Sequence, residues 1–262
     1  MRKWSLLSIP YVELHCHSGF SFLDGASHPE ELAVRAAEFG YPALALTDHN
    51  GLYGSMEFAH AARRVNVQPI TGAEVTLRDC FPGVEEPKGD HHVTLLAETP
   101  QGYANLCRLL TEAHMGSERG DTRLALPSLL ELSEGLILLS GCAKSPVAAA
   151  MRSSVADGEA FTRKLLDVFG PGSMFMELQD NAVKGDTARN KTLARLAGRM
   201  GLGVVATSNV HYHRPERHRL QDVLVSIKNR ATLDGAHGAR RANKLFHLPE
   251  PWDMRHRFES RP

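Results

Sequence analysis

Two histidines one residue apart, His15 and His17, close the opening stretch of VELHCHSGFSFLDG, Val12 to Gly25. Val12 and Leu14 alternate with polar Glu13, a strand pattern, and the same alternation puts both imidazoles on one side of the pleat. Two imidazoles at i and i+2 can close on one ion without distorting the backbone. Asp24 lies beyond a loop of Ser, Gly and Phe; it either returns to the same cavity as an oxygen ligand or caps a turn before Gly25. A mixed nitrogen and oxygen set of this kind suits Zn²⁺, Mn²⁺ or Fe²⁺. A His-x-His pair alone also arises by chance, as a hydrogen-bonded pair near a rim. The argument for metal comes from similar fragments further along, each near a predicted strand end.

The strand ALALT runs into TDHNG, where His49 offers a ligand and Asp48 a carboxylate that orients one; Asp48 is the candidate catalytic residue. Glu74 interrupts the apolar strand PITGAEVTL. A buried, unpaired carboxylate is costly, and bridging two cations would explain its place. Of His91 and His92, alternation turns one inward, and His92 leads directly into VTLL. Cys142 follows LILLSG and reads either as a small packing residue or as a thiolate ligand. Asn209 and His211 repeat the i, i+2 arrangement of the opening, but an amide oxygen brings no charge, so an ion there is expected to be weakly held or absent. His213 adds a further imidazole two residues on, or is simply exposed, and Met174 and Met176 are expected in the core.

Such a centre would perform metal-assisted hydrolysis. Two or three cations ~3.5–4 Å apart generate hydroxide and stabilise phosphoryl oxygens during in-line displacement. The phosphate-loop patterns GxxxxGK[ST] and GxGxxG and the nucleophile elbow GxSxG are missing, which argues against nucleotide-triphosphate, dinucleotide and serine-hydrolase chemistry.

The elements that must position these residues alternate. A helix is predicted from Pro29 through Leu32, Ala33, Ala36, Ala37 and Phe39, stopped by Gly40; another from about Ser55 to Val65 turns Met56, Ala59 and Ala62 inward. Residues 78–91 read as a surface loop. Helical patterns pass through Leu106, Leu109, Leu110 and Ala113, begin again near Pro127, and fill about Ser145 to Phe169 with a break at Asp157-Gly158. A basic helix covers Thr187 to Met200, and the last holds Leu220, Val223, Leu224 and Ile227. Seven strands alternating with helices argue for a parallel sheet covered on its outer face. A closed or nearly closed barrel fits best, because ligands come from many strand ends, the face on which barrels carry their sites. Glu74 and His92, within or at the start of their strands, are expected to point into the barrel.

Length and composition set the outer bounds. A chain of 262 residues accommodates one large domain, expected at residues 1–227, with an Arg- and His-rich linker or docking segment at 228–262. Lys plus Arg equals Asp plus Glu, so no global basic field drives nucleic-acid binding and any DNA contact is local. No apolar run reaches bilayer length, and the apolar part of MRKWSLLSIP is too short for a signal peptide. Cys16, Cys80, Cys107 and Cys142 lack disulfide-framework spacing, so a cytoplasmic location without membrane contact is expected. Fourteen histidines are the one compositional anomaly.

Taken together and in order, these fragments resemble the PHP (polymerase and histidinol phosphatase) family, over roughly Tyr11 to His211. ELHCHSGFSFLDGASHPEELAVRAAEFGYPALALTDHNGLYG is similar to the opening of bacterial DNA polymerase III α subunits, especially the error-prone type. HHVTLLAETPQGYANLCRLLTEAH, GLILLSGC and HYHRPERHRLQDVLVSIKNRATL resemble the same branch. The resemblance implies a distorted seven-stranded (βα)7 TIM-like α/β barrel holding two or three divalent ions of Zn, Mn or Fe. It implies one ion on His15, His17, Glu74 and Asn209, where the family usually has Asp. A second falls on Asp24, His49 and His211, and a third on Glu74, His92 and Cys142. The activity implied is a metal-dependent phosphoesterase, a 3′–5′ exonuclease on DNA 3′ ends in replication or repair, with a polymerase region or other replication and repair proteins as partners. Two other readings stand beside it: a metal-stabilised structural domain of the polymerase, which Asn209 favours, and a stand-alone small-molecule phosphatase of the histidinol-phosphatase type. The length is too short for a polymerase palm, fingers and thumb, so an excised, split or free-standing PHP domain is expected.

Overall fold

The computed structural model describes residues 11–81 and 90–259. The opening ten residues and most of the acidic loop expected at 78–91 lie outside them. In chain order the elements are α1 (Pro29–Glu38), β1 (Ala43–Leu46), α2 (Ser55–Arg64), β2 (Gln68–Arg78), β3 (His91–Ala97), α3 (Pro100–Met115), β4 (Leu124–Ala125), α4 (Leu126–Glu131) and β5 (Leu136–Leu139). They continue with α5 (Pro146–Ser153), α6 (Val155–Phe169), β6 (Met174–Gln179), α7 (Asp186–Met200), β7 (Gly203–Thr207), α8 (His218–Lys228) and α9 (Pro251–Glu259). The strands lie in the order β1-β2-β3-β5-β6-β7, with short β4 added beside β2.

The opening segment closes this curled sheet into a barrel. Its Glu13 and Cys16 make isolated parallel bridges to Leu44 and Val210. Ala45 N–H donates to Glu13 O (2.9 Å) on one side, and His17 N–H to Val210 O (2.8 Å) on the other. The predicted first strand is present only as these bridges, because side chains intercept the ladder. Glu13 accepts the N–H groups of His15 and Ser208 (2.9 Å each), and Thr47 Oγ1 accepts that of Cys16 (2.9 Å).

The expectation of a wholly parallel sheet needs correction at β3, which is antiparallel to both β2 and β5. β3 pairs with β2 from Gly72 opposite Leu96 to Leu77 opposite His91, the antiparallel pairing that needs no crossover helix. The reversal has a functional consequence. It carries the start of β3, with His92, to the same rim as the ends of the parallel strands.

Alternate residues face opposite ways. Leu95, Leu138, Met174 and Met176 point outward into a core shared with Leu106 and Leu109 of α3 and Leu193 and Leu196 of α7. Ala45, Leu96 and Leu139 form a separate small cluster with Leu14, Ile70, Ile137, Phe175 and Val205, which fills the barrel interior. Each fully buried Leu or Phe contributes roughly 1.5–3 kcal/mol relative to exposure.

Two helical details differ from expectation. In α2 Phe58 is the buried residue (1% exposed) and Met56 faces solvent (68%), because Ser55, Phe58 and Ala62 form the inner stripe. The helical break falls at Ser154, whose hydroxyl caps Asp157 N–H, and Gly158 lies inside α6. A Cβ on Gly158 would stand 2.0 Å from Met151 Sδ, so glycine here permits the close packing of α5 on α6.

After α8 the chain returns to the barrel. Tyr212 bridges His247, and Phe246 and Leu248 are buried against it. In α8 itself Gln221, Val225 and Ser226 are buried while Leu220, Val223 and Ile227 face outward. No helix of the described residues is long and apolar enough to cross a membrane.

Candidate metal centre

Glu74 is the hub of the site. Its carboxylate, 1% exposed, lies 3.3 Å from His15 Nε2, 3.6 Å from His17 Nε2, 2.8 Å from His49 Nδ1 and 3.1 Å from His92 Nδ1. Burial opposes its charge, but the surrounding histidines outweigh burial and hold its carboxyl well below the usual range. Strand β2 places it: Glu74 N–H donates to the carbonyls of Thr47 and Asp48, and Asn50 N–H to the Glu74 carbonyl, which fixes the TDHN turn against it.

The imidazoles are set by partners behind them. His15 Nδ1 lies 2.7 Å from Glu177 Oε1, a buried carboxylate on β6 that also accepts from Gln179 Nε2 (2.8 Å) and from Thr207. Burial lowers the affinity of His15 for a proton, yet Glu177 and Glu74 outweigh it and raise its pKa to about 10. His49 behaves alike: against burial, Glu74 and Asp24 raise it to about 9. His17 is driven the other way by burial, His49 and His211. Its ring stacks on His49 at 4.4 Å and lies 4.5 Å from that of His211.

Asp48 does not line the cavity. Its oxygens accept Ser18 N–H, Ser18 Oγ–H and Ser21 Oγ–H, all at 2.7 Å, and burial raises its pKa. Ser21 Oγ in turn lies 3.3 Å from His17 Nδ1. With its proton on Asp48, Ser21 accepts from His17 Nδ1–H, which leaves the Nε2 lone pair facing Glu74. Asp48 therefore reaches the site through Ser21 and His17.

Asp24 joins the second half of the cluster. Its Oδ2 lies 3.1 Å from His49 Nε2 and 3.4 Å from His211 Nε2. Burial opposes its charge, and His211 and Arg241 more than compensate, holding its carboxyl well below the usual range. The Asp24-Gly25 turn is also real: Gly25 N–H donates to Ser21 O, and a Cβ there would fall 1.8 Å from the Ser18 carbonyl oxygen. Asn209 adopts φ +50°, a left-handed conformation that Asn tolerates, and its carbonyl accepts from His211 Nδ1 at 2.7 Å. Burial and Arg241 lower the His211 pKa to about 4. Cys142 Sγ lies 3.9 Å from His92 Nδ1, and burial pushes its thiol up. His213 is neither exposed nor in the cavity lining: it is buried and tied to Ser27 Oγ at 2.7 Å.

The fit to divalent ions rests on atoms without partners. His15 Nε2, His17 Nε2, Glu74 Oε1 and Asn209 Oδ1 are all buried without a hydrogen bond. Unsatisfied buried polar atoms are costly, and lone pairs that converge are costlier. His15, His17 and Glu74 bring ligand atoms within 4.8 Å of one another, as do His17, His49 and His211, and His49, Glu74 and His92. The nitrogen and carboxylate donors suit Zn²⁺, Mn²⁺ or Fe²⁺. Asp24, Asn209 and Cys142 line the same cavity of about 250 Å³, whose mouth carries Lys144, Lys228 and Arg241.

The sequence profile of the PHP domain matches residues 13–181. This chain belongs to the PHP domain family. Among curated relatives, an error-prone DNA polymerase of Symbiobacterium thermophilum is 39% identical over 269 residues, covering 96% of this chain and 24% of the relative. One of Mycolicibacterium paratuberculosis is 41% identical over 259 residues, covering 97% and 24%. The chain thus spans about a quarter of the length of these relatives. A solved two-domain protein of Bacteroides vulgatus containing a predicted PHP-like metal-dependent phosphoesterase aligns with TM-score 0.45 and 16% identity, over 76% of this chain and 51% of that one.

Sequence reasoning missed two residues of this PHP site. Glu177 had a signal: it is the one charged residue in MFMELQ, as Glu74 is in PITGAEVTL. Arg241 had none, since it lies in a stretch without periodicity.

Proposed function

We propose that this chain is a metal-dependent phosphoesterase that acts on DNA 3′ ends, in a polymerase context like that of its relatives. The observation that carries the reading is Glu74, a single buried carboxylate within 3.6 Å of four imidazoles, with His15 Nε2, His17 Nε2 and Glu74 Oε1 buried and without a hydrogen bond. In this reading His15, His17, Glu74 and Asn209 hold one ion, Asp24, His49 and His211 a second, and Glu74, His92 and Cys142 a third. Bound divalent ions would supply Lewis acidity and a lowered pKa for attacking water. The chain's own groups do the rest. Glu177 orients His15, Asp48 orients His17 through Ser21, and Lys144 and Lys228 bring positive charge to the entering phosphodiester. A cavity of about 250 Å³ suits a strand end better than a duplex. Zn²⁺, Mn²⁺ and Fe²⁺ remain the candidate ions, in two or three sites.

A second reading, a metal-stabilised structural domain, is favoured by one observation: Asn209 puts an uncharged amide where a carboxylate would bind an ion better. Elemental analysis of the parent and of Asn209→Asp, with assays on single-stranded DNA and p-nitrophenyl phosphate, separates these readings. Two or three ions with release of 3′ nucleotides supports the phosphoesterase. Bound metal without turnover in the parent, rescued by Asn209→Asp, supports the structural domain. Turnover of the phosphomonoester alone would point to a small-molecule phosphatase.

A further inference from the structure

Arg241 enters the site from an arm that follows α8, beyond the residues matched by the family profile. Its Nη2 lies 3.2 and 3.4 Å from the two oxygens of Asp24 and also contacts His211 Nε2. Those are acceptors that face one another. Asp24 is acceptor-only when ionised, and with Nδ1–H donated to the Asn209 carbonyl a neutral His211 presents a lone pair at Nε2. Asp24 Oδ2 and His211 Nε2 stand 3.4 Å apart, and a cation beside them satisfies both when the ring is neutral. The guanidinium supplies it.

The arm is built to hold that position. Arg241 packs over the Phe246 ring with its Cζ 4.8 Å from the centroid. Asn243 Nδ2 donates to the Asn181 carbonyl at 2.7 Å, and the Tyr212–His247 bridge anchors the chain just beyond. Gln221 Nε2 on α8 donates to Asp24 Oδ1 at 3.2 Å, steadying the same carboxylate. We propose that Arg241 is a tethered cation that occupies the Asp24–His211 ion position and must withdraw before a divalent ion enters it. The arm after α8 thereby controls loading of one ion of the cluster. A divalent ion and a guanidinium so close would repel strongly at a partly buried site. The inference rests on the reading of the cluster as an ion centre. It adds that the guanidinium and a divalent ion compete for this position.

The test is a Mn²⁺ titration by calorimetry, with elemental analysis after dialysis, on the full chain and three variants. Arg241→Gln is expected to bind one ion about tenfold more tightly, the gain from freeing a site otherwise about nine-tenths blocked. Arg241→Lys, which keeps the charge but loses the fork, is expected to fall between parent and Gln, and serves if the Gln variant does not fold. Arg240→Gln removes a charge from the same arm, paired with Asp222 at 3.2 Å instead of Asp24, and is expected to match the parent. Equal affinities and stoichiometries in the parent and both Arg241 variants overturn the inference and leave the metal centre standing. An equal gain in Arg240→Gln overturns it too, by reducing the effect to net charge. No Mn²⁺ in any of the proteins overturns the metal centre and this inference with it.

Discussion

Glu177 Oε1 lies 2.7 Å from His15 Nδ1, across 162 residues of chain, and the pair is fully buried. The contact fixes which nitrogen of His15 faces Glu74. Replacing Glu177 by Gln keeps the shape and removes the charge that makes His15 a strong donor. Orienting carboxylates of this kind are worth about 10–100-fold in metal affinity, so Glu177→Gln should weaken ion binding by that order while the fold persists. Calorimetric Mn²⁺ titration beside far-UV circular dichroism checks it, and unchanged affinity would remove His15 from the ligand set.

That contact also marks where the sequence stops being informative. His15, His17, Asp48, His49 and Glu74 were legible because each breaks an apolar strand or ends one with a side chain that has no packing reason to be there. The strands themselves were legible for the same reason, since the barrel interior and the helix-facing core take alternate residues. The polarity of β3 was not, because HHVTLLA reads as the same apolar strand in either direction and its pairing with β2 and β5 is set by the tertiary fold. Arg241 was invisible for another reason. It meets His211 across 30 residues of chain that include α8, and nothing local specifies that return.

The Asp48–Ser21–His17 relay gives a second expectation. Ser21→Ala removes the hydroxyl that links Asp48 to His17 Nδ1 and frees that ring to rotate. Ion affinity should fall by about tenfold, at the low end for groups one step removed from the ligands. Asp48→Asn should cost more stability than Ser21→Ala, since the buried carboxylate organises Ser18 as well as Ser21. Thermal melts in EDTA isolate that difference, and equal melting temperatures for the two variants would contradict it.

Stability of the chelated protein should depend on pH on both sides of neutrality. The raised His15 and His49, at about 10 and about 9, favour the folded state when protonated. Their contribution is complete below the ordinary histidine value of about 6.5 and is lost as pH rises through 9 and 10. The depressed Glu74, Asp24 and Glu177 contribute above the ordinary carboxylate range, and that is lost as pH falls through their lowered values. His211, lowered to about 4, adds to the acid loss, because the unfolded chain takes up its proton first. The melting temperature in EDTA should therefore be highest at about pH 6.5 and fall on either side of it. Saturating Mn²⁺ should flatten the alkaline fall by replacing those protons. Melting curves with and without the ion check both, and an alkaline fall of equal depth in each would sever the link between the protons and the ion site.

The phase of α2 offers a check that does not depend on metal. Phe58 is buried against Leu32, Leu44 and Ala62 in the cluster beneath α1 and β1, whereas Met56 is exposed. Phe58→Ala removes a large ring from a closed core, and such truncations cost about 3–5 kcal/mol through lost burial and the cavity left behind. Met56→Ala changes a solvent-facing side chain and should stay within about 0.5 kcal/mol of the parent. Urea denaturation of the two variants in EDTA measures the difference directly. Should Met56→Ala prove the more damaging, the helix would be rotated from the position in which it supports β1. That strand carries the turn holding His49 against Glu74, so the same rotation would disturb ion binding, and Phe58→Ala is expected to weaken Mn²⁺ affinity only to the extent that it unfolds the protein.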